Sequence, residues 1–219
     1  MTDINKFGSD EELAEALGVS MDSPSPEKLI PLFQQVLEGL GEDADREGLL
    51  ETPSRIAKAW IEMTRGLHLD PSRHLEKQFT TTSDSMVIVK DIPFNSLCEH
   101  HFLPFQGKAH IAYIPGPVDE DPYEGNYRIA GLSKFARVVE EFAARPQVQE
   151  NLTQQVADAI ENVLNPQGVM VTMQAGHSCM SLRGVRTSGS ETVTSAVRGL
   201  FATNDDGVKD EAQRIFYAR

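Results

Sequence analysis

Residues 132–175, LSKFARVVEEFAARPQVQENLTQQVADAIENVLNPQGVMVTMQA, carry the pattern that decides the fold. Apolar residues recur at helical spacing over 132–144 and over 148–164, and Pro146 separates the two segments. The run at 169–175 is rich in β-branched and apolar residues, which is typical of a buried strand. Two helices followed directly by a strand predict a layer of helices packed on a sheet.

The flanking segments extend this pattern in both directions. β-Rich runs at 86–89 and 110–114 precede the helices, with turn formers at 106–107 between them. A β-prone Ser/Thr-rich segment follows at 187–194, and a closing helix is expected at 206–217. This order predicts an α+β fold, with an antiparallel sheet on one side and helices on the other.

The first seventy residues have a different character. Residues 1–26 are polar with a Ser/Pro-rich break, and predict a weakly ordered, flexible arm. Helical spacing over 27–40, and a second helix that begins with Thr52 as its N-cap, predict an N-terminal helical hairpin over 27–70. Residues 71–219 are expected to form the main domain.

Composition limits the classes of function. The 219 residues, 40% hydrophobic and 24% charged, are ordinary for a soluble globular protein with one substantial core. The formal net charge of −13 argues against a nucleic-acid or anionic-membrane partner, but leaves room for a small anionic substrate at a local basic cluster. Because no apolar run has membrane-spanning length and no secretory signal is evident, we expect a cytoplasmic location.

Both cysteines of the chain lie beside histidines. Cys98 is followed by His100 and His101, and His177 precedes Cys179 by two positions. The C-x-x-H spacing lets Cys98 and His101 converge across one turn, while His177 and Cys179 would share a face of an extended strand. Two thiolates and one imidazole favour zinc over magnesium or calcium. Three ligands leave one position for water, whose pKa zinc lowers to about 7.

The two remaining histidines of these clusters, His100 and His177, bear on whether a bound metal would be catalytic or structural. A histidine near a catalytic metal suits proton transfer near neutral pH. A structural zinc site with two cysteines and two histidines is an open alternative, as is a thiol pair without metal. The isolated residues His68, His74 and His110 are assigned to the surface or to packing.

Several polar groups near these clusters are suited to a nucleotide. Ser133, Lys134 and Arg137 lie in the first turns of the helix at 132–144, where backbone N–H groups and cations attract anions, and Arg183 follows Cys179. Glu150 can accept two hydrogen bonds from guanine, a pairing that adenine does not offer. Taken singly, each is better explained without a ligand, the cations by a solvated helix face and Glu150 by the helix dipole.

In combination, these segments resemble GTP cyclohydrolase I, a family of zinc enzymes that open the guanine ring of GTP to begin pterin and folate synthesis. The matching motifs are ETPSRIAKAW at 51–60, CEHHF at 98–102, GKA at 107–109, AYIP at 112–115, GLSK at 131–134, RPQVQE at 145–150, LTQQ at 152–155, H-x-C-M-x-x-R-G at 177–184 and TSAVRGLF at 194–201. Their order over roughly residues 27–202 makes the resemblance specific.

The resemblance implies zinc ligands at Cys98, His101 and Cys179, with His100 and His177 as acid–base groups. One of these histidines would protonate N7 of guanine, after which zinc-activated water adds at C8. The imidazole ring then opens, a second hydrolysis releases formate, and the rearranged ribose closes the ring of 7,8-dihydroneopterin triphosphate.

For the substrate, the resemblance implies that Glu150, helped by Gln149, holds the guanine. The triphosphate would be held by Ser133, Lys134, Arg137 and Arg183, with Arg55 of a neighbouring subunit. The implied fold of the catalytic domain, 71–219, is the tunnelling fold, in which antiparallel sheets from several subunits form a barrel backed by helices. Members are typically decamers with active sites between subunits.

The sequence departs from the family pattern at three places. The acidic loop at 116–126 is longer than expected, Asn151 replaces an expected arginine, and residues 1–26 have no counterpart. Two alternatives remain: a deazaguanine-nitrile reductase of the same fold, and a non-catalytic purine- or pterin-binding protein with structural zinc. The CEHH and H-x-C motifs disfavour the reductase, which has a cysteine nucleophile and NADPH but no zinc triad, and the two extra histidines disfavour the binding protein.

Overall fold

The computed structural model describes residues 24–118, 125–203 and 207–218. The arm predicted at 1–26 therefore lies almost wholly outside the described residues, and so does much of the loop predicted at 116–126. None of the helices within the described ranges is long and apolar enough to cross a membrane.

The chain divides into two compact units, Met1–Glu62 and Met63–Arg219. In the first unit, helices α1 (Pro26–Gly39) and α2 (Thr52–Met63) form where helical spacing predicts them. Phe33 of α1 and Trp60 of α2 meet edge to face, with ring centroids 5.4 Å apart. Such aromatic contacts stabilise by about 1 kcal/mol beyond the apolar area that they bury.

The second unit is built on a five-stranded sheet. Its strands are β2 (Val87–Cys98), β3 (Pro104–Ile114), β5 (Pro146–Gln147), β6 (Gly168–His177) and β7 (Thr192–Gly199), in the order β5-β2-β3-β6-β7. Neighbours pair antiparallel, except that β5 runs parallel to the end of β2. A separate two-stranded sheet, which the sequence pattern does not predict, joins β1 (Gln78–Thr81) to β4 (Tyr127–Ala130).

Two long helices, α3 (Leu132–Ala143) and α4 (Gln149–Leu164), cover one face of the large sheet. Every second residue of a strand points to that face, so Ile111 and Val171 join the apolar stripe of α3 in the main core. The α+β fold predicted from the order of elements is confirmed.

The sequence pattern predicts helices on one side of the sheet only, and this prediction is wrong. Two C-terminal helices, α6 (Leu200–Thr203) and α7 (Val208–Tyr217), pack on part of the second face. Phe201 and Phe216 bury Ala112 and Met170 there. These small and flexible apolar side chains point away from α3 and α4, and burial against the C-terminal helices removes them from water.

Two details of the predicted strands are wrong. Gln106 and Gly107 form no turn but lie inside β3, where a side chain at Gly107 would approach the carbonyl oxygen of Gln174 to 1.9 Å. Glycine is required there by the close approach of β6, not by a turn. The last strand begins at Thr192 rather than at residue 187, because its register is set by pairing with β6.

Candidate metal centre and its surroundings

Three predicted ligands converge at one end of the large sheet. Cys98 ends β2, His101 lies in the turn before β3, and Cys179 lies on the short helix α5 (Ser178–Ser181) after β6. One ligand atom of each lies within 4.8 Å of those of the other two. Antiparallel pairing brings these segments together, because the end of β2 and the end of β6 both lie beside the start of β3. We call this trio the candidate metal centre.

A tight turn brings His101 back over Cys98. The N–H groups of His101 and Phe102 both donate to the Cys98 carbonyl oxygen, at 3.3 and 2.8 Å, and the Cys98 N–H donates to the carbonyl of Leu103 at 2.9 Å. Phe102 adopts the left-handed backbone conformation that closes this turn, with φ of 53°. The predicted convergence of Cys98 and His101 across a single turn is confirmed.

Cys179 reaches the centre by a different route from the one predicted. The sequence suggested that His177 and Cys179 share a face of one strand, but β6 ends at His177. The chain then enters α5, where the N–H of Leu182 donates to the Ser178 carbonyl at 2.9 Å. Residues two apart on a helical turn face different directions, so Cys179 faces Cys98 while His177 points elsewhere.

The electrostatics of the two thiols favour a bound cation. Burial raises the pKa of the Cys179 thiol above its ordinary value, the neighbouring Cys98 sulfur raises it further, and Arg183 acts in the opposite direction. Two adjacent thiolates repel each other unless a positive charge lies between them. A divalent cation supplies that charge and deprotonates coordinating thiols.

Arg183 is hydrogen-bonded to one of the candidate ligands. Its Nη1 donates to His101 Nε2 at 3.3 Å. A neutral imidazole has a single lone pair, so this ring cannot accept from Arg183 and coordinate a metal at the same time. Metal binding by His101 would therefore release the guanidinium group.

His177 is held between an aromatic ring and an amide. Its ring stacks on Phe105, with centroids 4.5 Å apart and planes 5° from parallel, and its Nε2 lies 2.8 Å from Gln149 Oε1. Burial lowers the pKa of His177 below its ordinary value, and the charge of Glu150 partly opposes that shift. The sequence analysis did not identify Phe105. In the structure its ring is buried and lies against Phe94 of the neighbouring strand, so it belongs to the core.

The second predicted acid–base residue, His100, lies on the exposed side of the same turn. Its Nδ1 is 3.9 Å from Cys98 Sγ, and its ring meets that of His101 edge to face, with centroids 6.3 Å apart. The structure thus brings His100 into contact with the candidate metal centre, whereas the ring of His177, two residues before Cys179, contacts Phe105 and Gln149.

The two residues predicted to hold guanine have different environments. Gln149 begins α4 and is only 1% exposed, so its side chain points into the protein. Glu150, the next residue, is exposed, and its carboxylate forms no hydrogen bond with any residue that the structure describes. Of the pair, Glu150 is the residue available to a ligand.

The predicted phosphate-binding residues of α3 are not brought to the candidate metal centre of the same chain. Ser133, Lys134 and Arg137 lie in the first turns of α3, whereas its last turn leads into β5, which pairs with Cys98. At about 1.5 Å per residue, Ser133 and Lys134 lie ~14 Å along the axis from the last residue of the helix, and Arg137 lies about 9 Å from it. Arg55 lies in the first unit, where it pairs with Glu51, the residue just before its helix.

Two cavities border this part of the sheet. One, of about 350 Å³, is lined by His177, Ser178, Ser181 and Glu191, among others. A larger one, of about 880 Å³, lies along β2 and β3 beside α7, with Lys90, Asp91 and His110 in its wall. Neither is lined by a residue of the candidate metal centre, so the location of the site rests on side-chain geometry and not on cavity size.

Comparison with known proteins identifies the family. A family model described as GTP cyclohydrolase I matches residues 31–215. A protein of Carboxydothermus hydrogenoformans named GTP cyclohydrolase 1 is 55% identical over 178 residues, which cover 81% of this chain and 88% of that protein. One of the same name from Bacillus subtilis is 49% identical over 181 residues, covering 83% and 90%. The chain belongs to the GTP cyclohydrolase I family.

The family match confirms the resemblance noted in the sequence, and it spans all the predicted site residues from Arg55 to Arg183. Among solved structures, an archaeosine synthase QueF-Like in the apo form is similar over 53% of this chain and 96% of that chain, with a TM-score of 0.38 and 20% identity. A similarity of this size does not establish a shared fold.

Proposed function

We propose that this protein is an enzyme that hydrolyses GTP to 7,8-dihydroneopterin triphosphate and formate, the first step of tetrahydrofolate and pterin synthesis. The observation that carries the proposal is the convergence of Cys98, His101 and Cys179 in a chain of the GTP cyclohydrolase I family. A donor set of two sulfurs and one ring nitrogen beside two further histidines suits hydrolytic chemistry.

Zinc is the proposed metal, and the donor set fits it. Tetrahedral zinc lies about 2.3 Å from sulfur and about 2.0 Å from nitrogen, so its ligand atoms lie roughly 3.5–3.8 Å apart. The three candidate ligand atoms, all within 4.8 Å of one another, reach this arrangement by small side-chain rotations. When bound with an open fourth position, zinc acts as a Lewis acid that activates water near neutral pH.

His177 and His100 are the proposed acid–base groups. The reaction needs a proton at N7 of guanine, which makes C8 electrophilic, and further proton transfers when the imidazole ring opens and formate leaves. His177 lies two residues before Cys179 and His100 two residues after Cys98, so both flank the ligands. Burial lowers the pKa of His177 and the charge of Glu150 only partly opposes that shift, so the neutral ring is favoured and is suited to take up a proton as a base before it donates one.

Glu150 is the proposed guanine-binding residue. Its exposed carboxylate lies in the first turn of α4, one residue from the amide that contacts His177. A carboxylate accepts hydrogen bonds from both N1–H and the exocyclic amine of guanine. Binding guanine there would bring its imidazole ring toward His177 and the metal.

Arg183 is proposed to bind the triphosphate after metal loading. Because metal coordination by His101 removes the acceptor of Arg183, the guanidinium is left without a partner beside the metal. An arginine in that state binds phosphate oxygens strongly, often through two parallel hydrogen bonds.

We propose that Ser133, Lys134 and Arg137 act in the site of a neighbouring subunit, together with Arg55. The length of α3 supports this, because it separates the first turn of the helix from the metal centre of the same chain. The side chains of Lys134 and Arg137 form no hydrogen bond or ion pair within the described part of the chain. Exposed apolar side chains at Leu132, Leu182 and Val185, 61%, 71% and 77% exposed, would be buried by such an assembly.

The proposed assembly is a homodecamer with the tunnelling fold. In the described residues, β7 pairs on one edge only, and the outer edge of β2 is paired only at Leu97 and Cys98. Unpaired edges of this length are sites where sheets of separate chains join, and a closed barrel removes them. Residues 71–219 would form this catalytic domain, with 27–70 as the helical hairpin and 1–26 as the arm. The expected cytoplasmic location stays a prediction.

The activity is tested with purified protein that has been stripped of metal and then reloaded with zinc. Reloaded protein incubated with GTP is expected to release formate and, after oxidation, to yield a fluorescent pterin, while stripped protein and ATP serve as controls. The native mass of the same sample tests the decamer. Absence of formate from protein that holds one zinc per chain would refute the proposed function.

A further inference from the structure

The side-chain amide of Gln149 has only one orientation compatible with its surroundings. Its Nε2 lies 3.1 Å from the carbonyl oxygen of Met173 and 3.0 Å from that of Thr192. Carbonyl oxygens accept hydrogen bonds and cannot donate them, so the NH₂ group must face them. The flipped amide would bring three oxygens together at a position that is 1% exposed.

This orientation determines which nitrogen of His177 carries hydrogen. Gln149 Oε1 faces His177 Nε2 at 2.8 Å, and an amide oxygen can only accept. Nε2 must therefore be an N–H donor. A neutral imidazole carries one hydrogen, so the lone pair of His177 lies on Nδ1.

Two threonines complete a network with a single direction. Thr153 Oγ1 donates to the Gln149 carbonyl oxygen at 2.7 Å and lies 2.6 Å from Thr194 Oγ1. Since the Thr153 hydrogen is already used, Thr194 donates to Thr153, and its oxygen accepts from Gln149 Nε2 at 3.1 Å. Every donor of this buried group has an acceptor, and such satisfied networks are rigid.

We propose that Gln149 is a positioning residue that holds His177 as the Nε2–H tautomer and does not itself bind guanine. The consequence, which rests on the proposed function, is that Nδ1 is the ring nitrogen whose lone pair is available to substrate. Stacking on Phe105 fixes the plane of the ring. Both hydrogens and the oxygen of the Gln149 amide are used within the protein, so it has no free donor for a purine.

Gln149→Met tests this because methionine preserves length and volume but removes the acceptor of His177. We expect zinc per chain to stay unchanged, KM for GTP to stay within about threefold, and kcat to fall about 100-fold. The melting temperature is expected to fall, because the carbonyl oxygens of Met173 and Thr192 lose a buried donor. If Gln149 held guanine, KM would rise at unchanged kcat instead, and the proposal would be overturned.

Thr194→Val is the matched control. It removes a member of the same buried network and leaves the hydrogen bond from His177 to Gln149 intact, so kcat is expected to stay within about threefold of the wild type. Equal losses of kcat in both variants would indicate general damage to the core and would contradict a specific role for Gln149.

A spectroscopic measurement tests the tautomer without turnover. Solid-state NMR of zinc-loaded protein with ¹⁵N-histidine, at a pH of about 8 where imidazoles are neutral, distinguishes N–H from bare ring nitrogens. His177 is assigned by the signal lost in His177→Asn. Hydrogen on Nε2 is expected; hydrogen on Nδ1 overturns the proposal, even if Gln149→Met does not fold. Formate release by the wild type is measured separately, so failure of the activity and failure of the tautomer are distinguishable.

Discussion

The candidate metal centre and the first turns of α3 are organised in opposite ways. Cys98, His101 and Cys179 are assembled within one chain, with backbone hydrogen bonds that fix the turn and the strand ends. Lys134 and Arg137 lie on a helix end without a side-chain partner in the described residues. This difference supports the proposal that the metal centre is built within a single chain, whereas the residues proposed to bind the triphosphate act across an assembly.

The largest effect is expected from removing a metal ligand. Cys179→Ala leaves only two donors, so bound zinc should be lost and formate release should fall to background, because two ligands do not hold zinc against solvent. Metal per chain, measured by elemental analysis, and formate release are the two readouts. Ser178→Ala, at the neighbouring position of α5, should keep both.

His177→Ala separates the ligands from the acid–base groups in the same assays. It should keep one zinc per chain and lose roughly 10²–10⁴-fold in kcat, the usual contribution of a positioned acid–base group. Loss of zinc from this variant would make His177 a ligand and would show that the centre is not the trio assigned here.

The next largest effect is expected at Arg137, in the helix that is contrasted above with the metal centre. Arg137→Ala should lower kcat/KM by roughly 10–100-fold, the value of a charge-assisted hydrogen bond. If Arg137 serves a neighbouring metal centre, subunits of Arg137→Ala and Cys179→Ala that are dissociated and reassembled together should regain activity. Some mixed sites then contain an intact ligand set from one chain and an intact arginine from another.

Two outcomes of the mixing experiment are informative. Each variant reassembled alone controls for the procedure and should stay inactive or weak. If the mixture is no more active than the average of the two, the phosphate residues and the metal ligands act in the same chain, and the contrast between the regions fails.

A smaller effect is expected at Arg183. Arg183→Ala should raise KM for GTP about tenfold through the lost phosphate contact, with kcat little changed. Since Arg183 competes with metal for His101, zinc affinity should stay the same or rise. Arg186→Ala, an exposed arginine of the same loop, is the control; a drop in zinc affinity only in Arg183→Ala would contradict the competition.

The smallest effect concerns His110, which lies in β3 away from the candidate metal centre. Burial lowers its pKa, Lys108 and Lys90 lower it further while Asp91 raises it, and its Nδ1 accepts the Asp91 N–H at 3.2 Å. Below the ordinary histidine pKa of about 6.5, the unfolded chain binds a proton that the folded chain does not, so stability falls as pH decreases.

His110→Asn keeps an acceptor for the Asp91 N–H and cannot titrate. The free energy of unfolding, measured with denaturant, should fall less steeply between pH 7.5 and 5.5 in this variant than in the wild type. The two slopes should differ by at most about 1.4 kcal/mol per pH unit. Its zinc content and kcat should match the wild type. An identical pH slope in both proteins would mean that His110 is protonated in the folded state.

Sequence reasoning succeeded where local spacing determines structure. The helices α3 and α4 follow from apolar periodicity, and the convergence of Cys98 with His101 follows from a spacing that fits one turn. It failed where tertiary pairing decides. Gly107 looks like a turn residue but serves the close approach of β6, and Cys179 leaves the strand at α5.

The burial of Gln149 shows the same limit within the site. From the chain alone, Gln149 and Glu150 are adjacent polar residues at a helix start, and a shared role in binding is natural. Which of them faces inward depends on how α4 packs against β6 and β7, a contact between segments distant in sequence. The buried partner of His177 could not be assigned from spacing.

A crystal structure of the zinc-loaded protein without GTP would show directly whether the three side chains of the candidate metal centre, and no fourth, bind the metal. We predict one zinc ion bound by Sγ of Cys98, Sγ of Cys179 and a ring nitrogen of His101, with solvent at the fourth position and Arg183 released from His101. A fourth protein ligand, such as His100 or His177, in place of solvent would contradict this prediction.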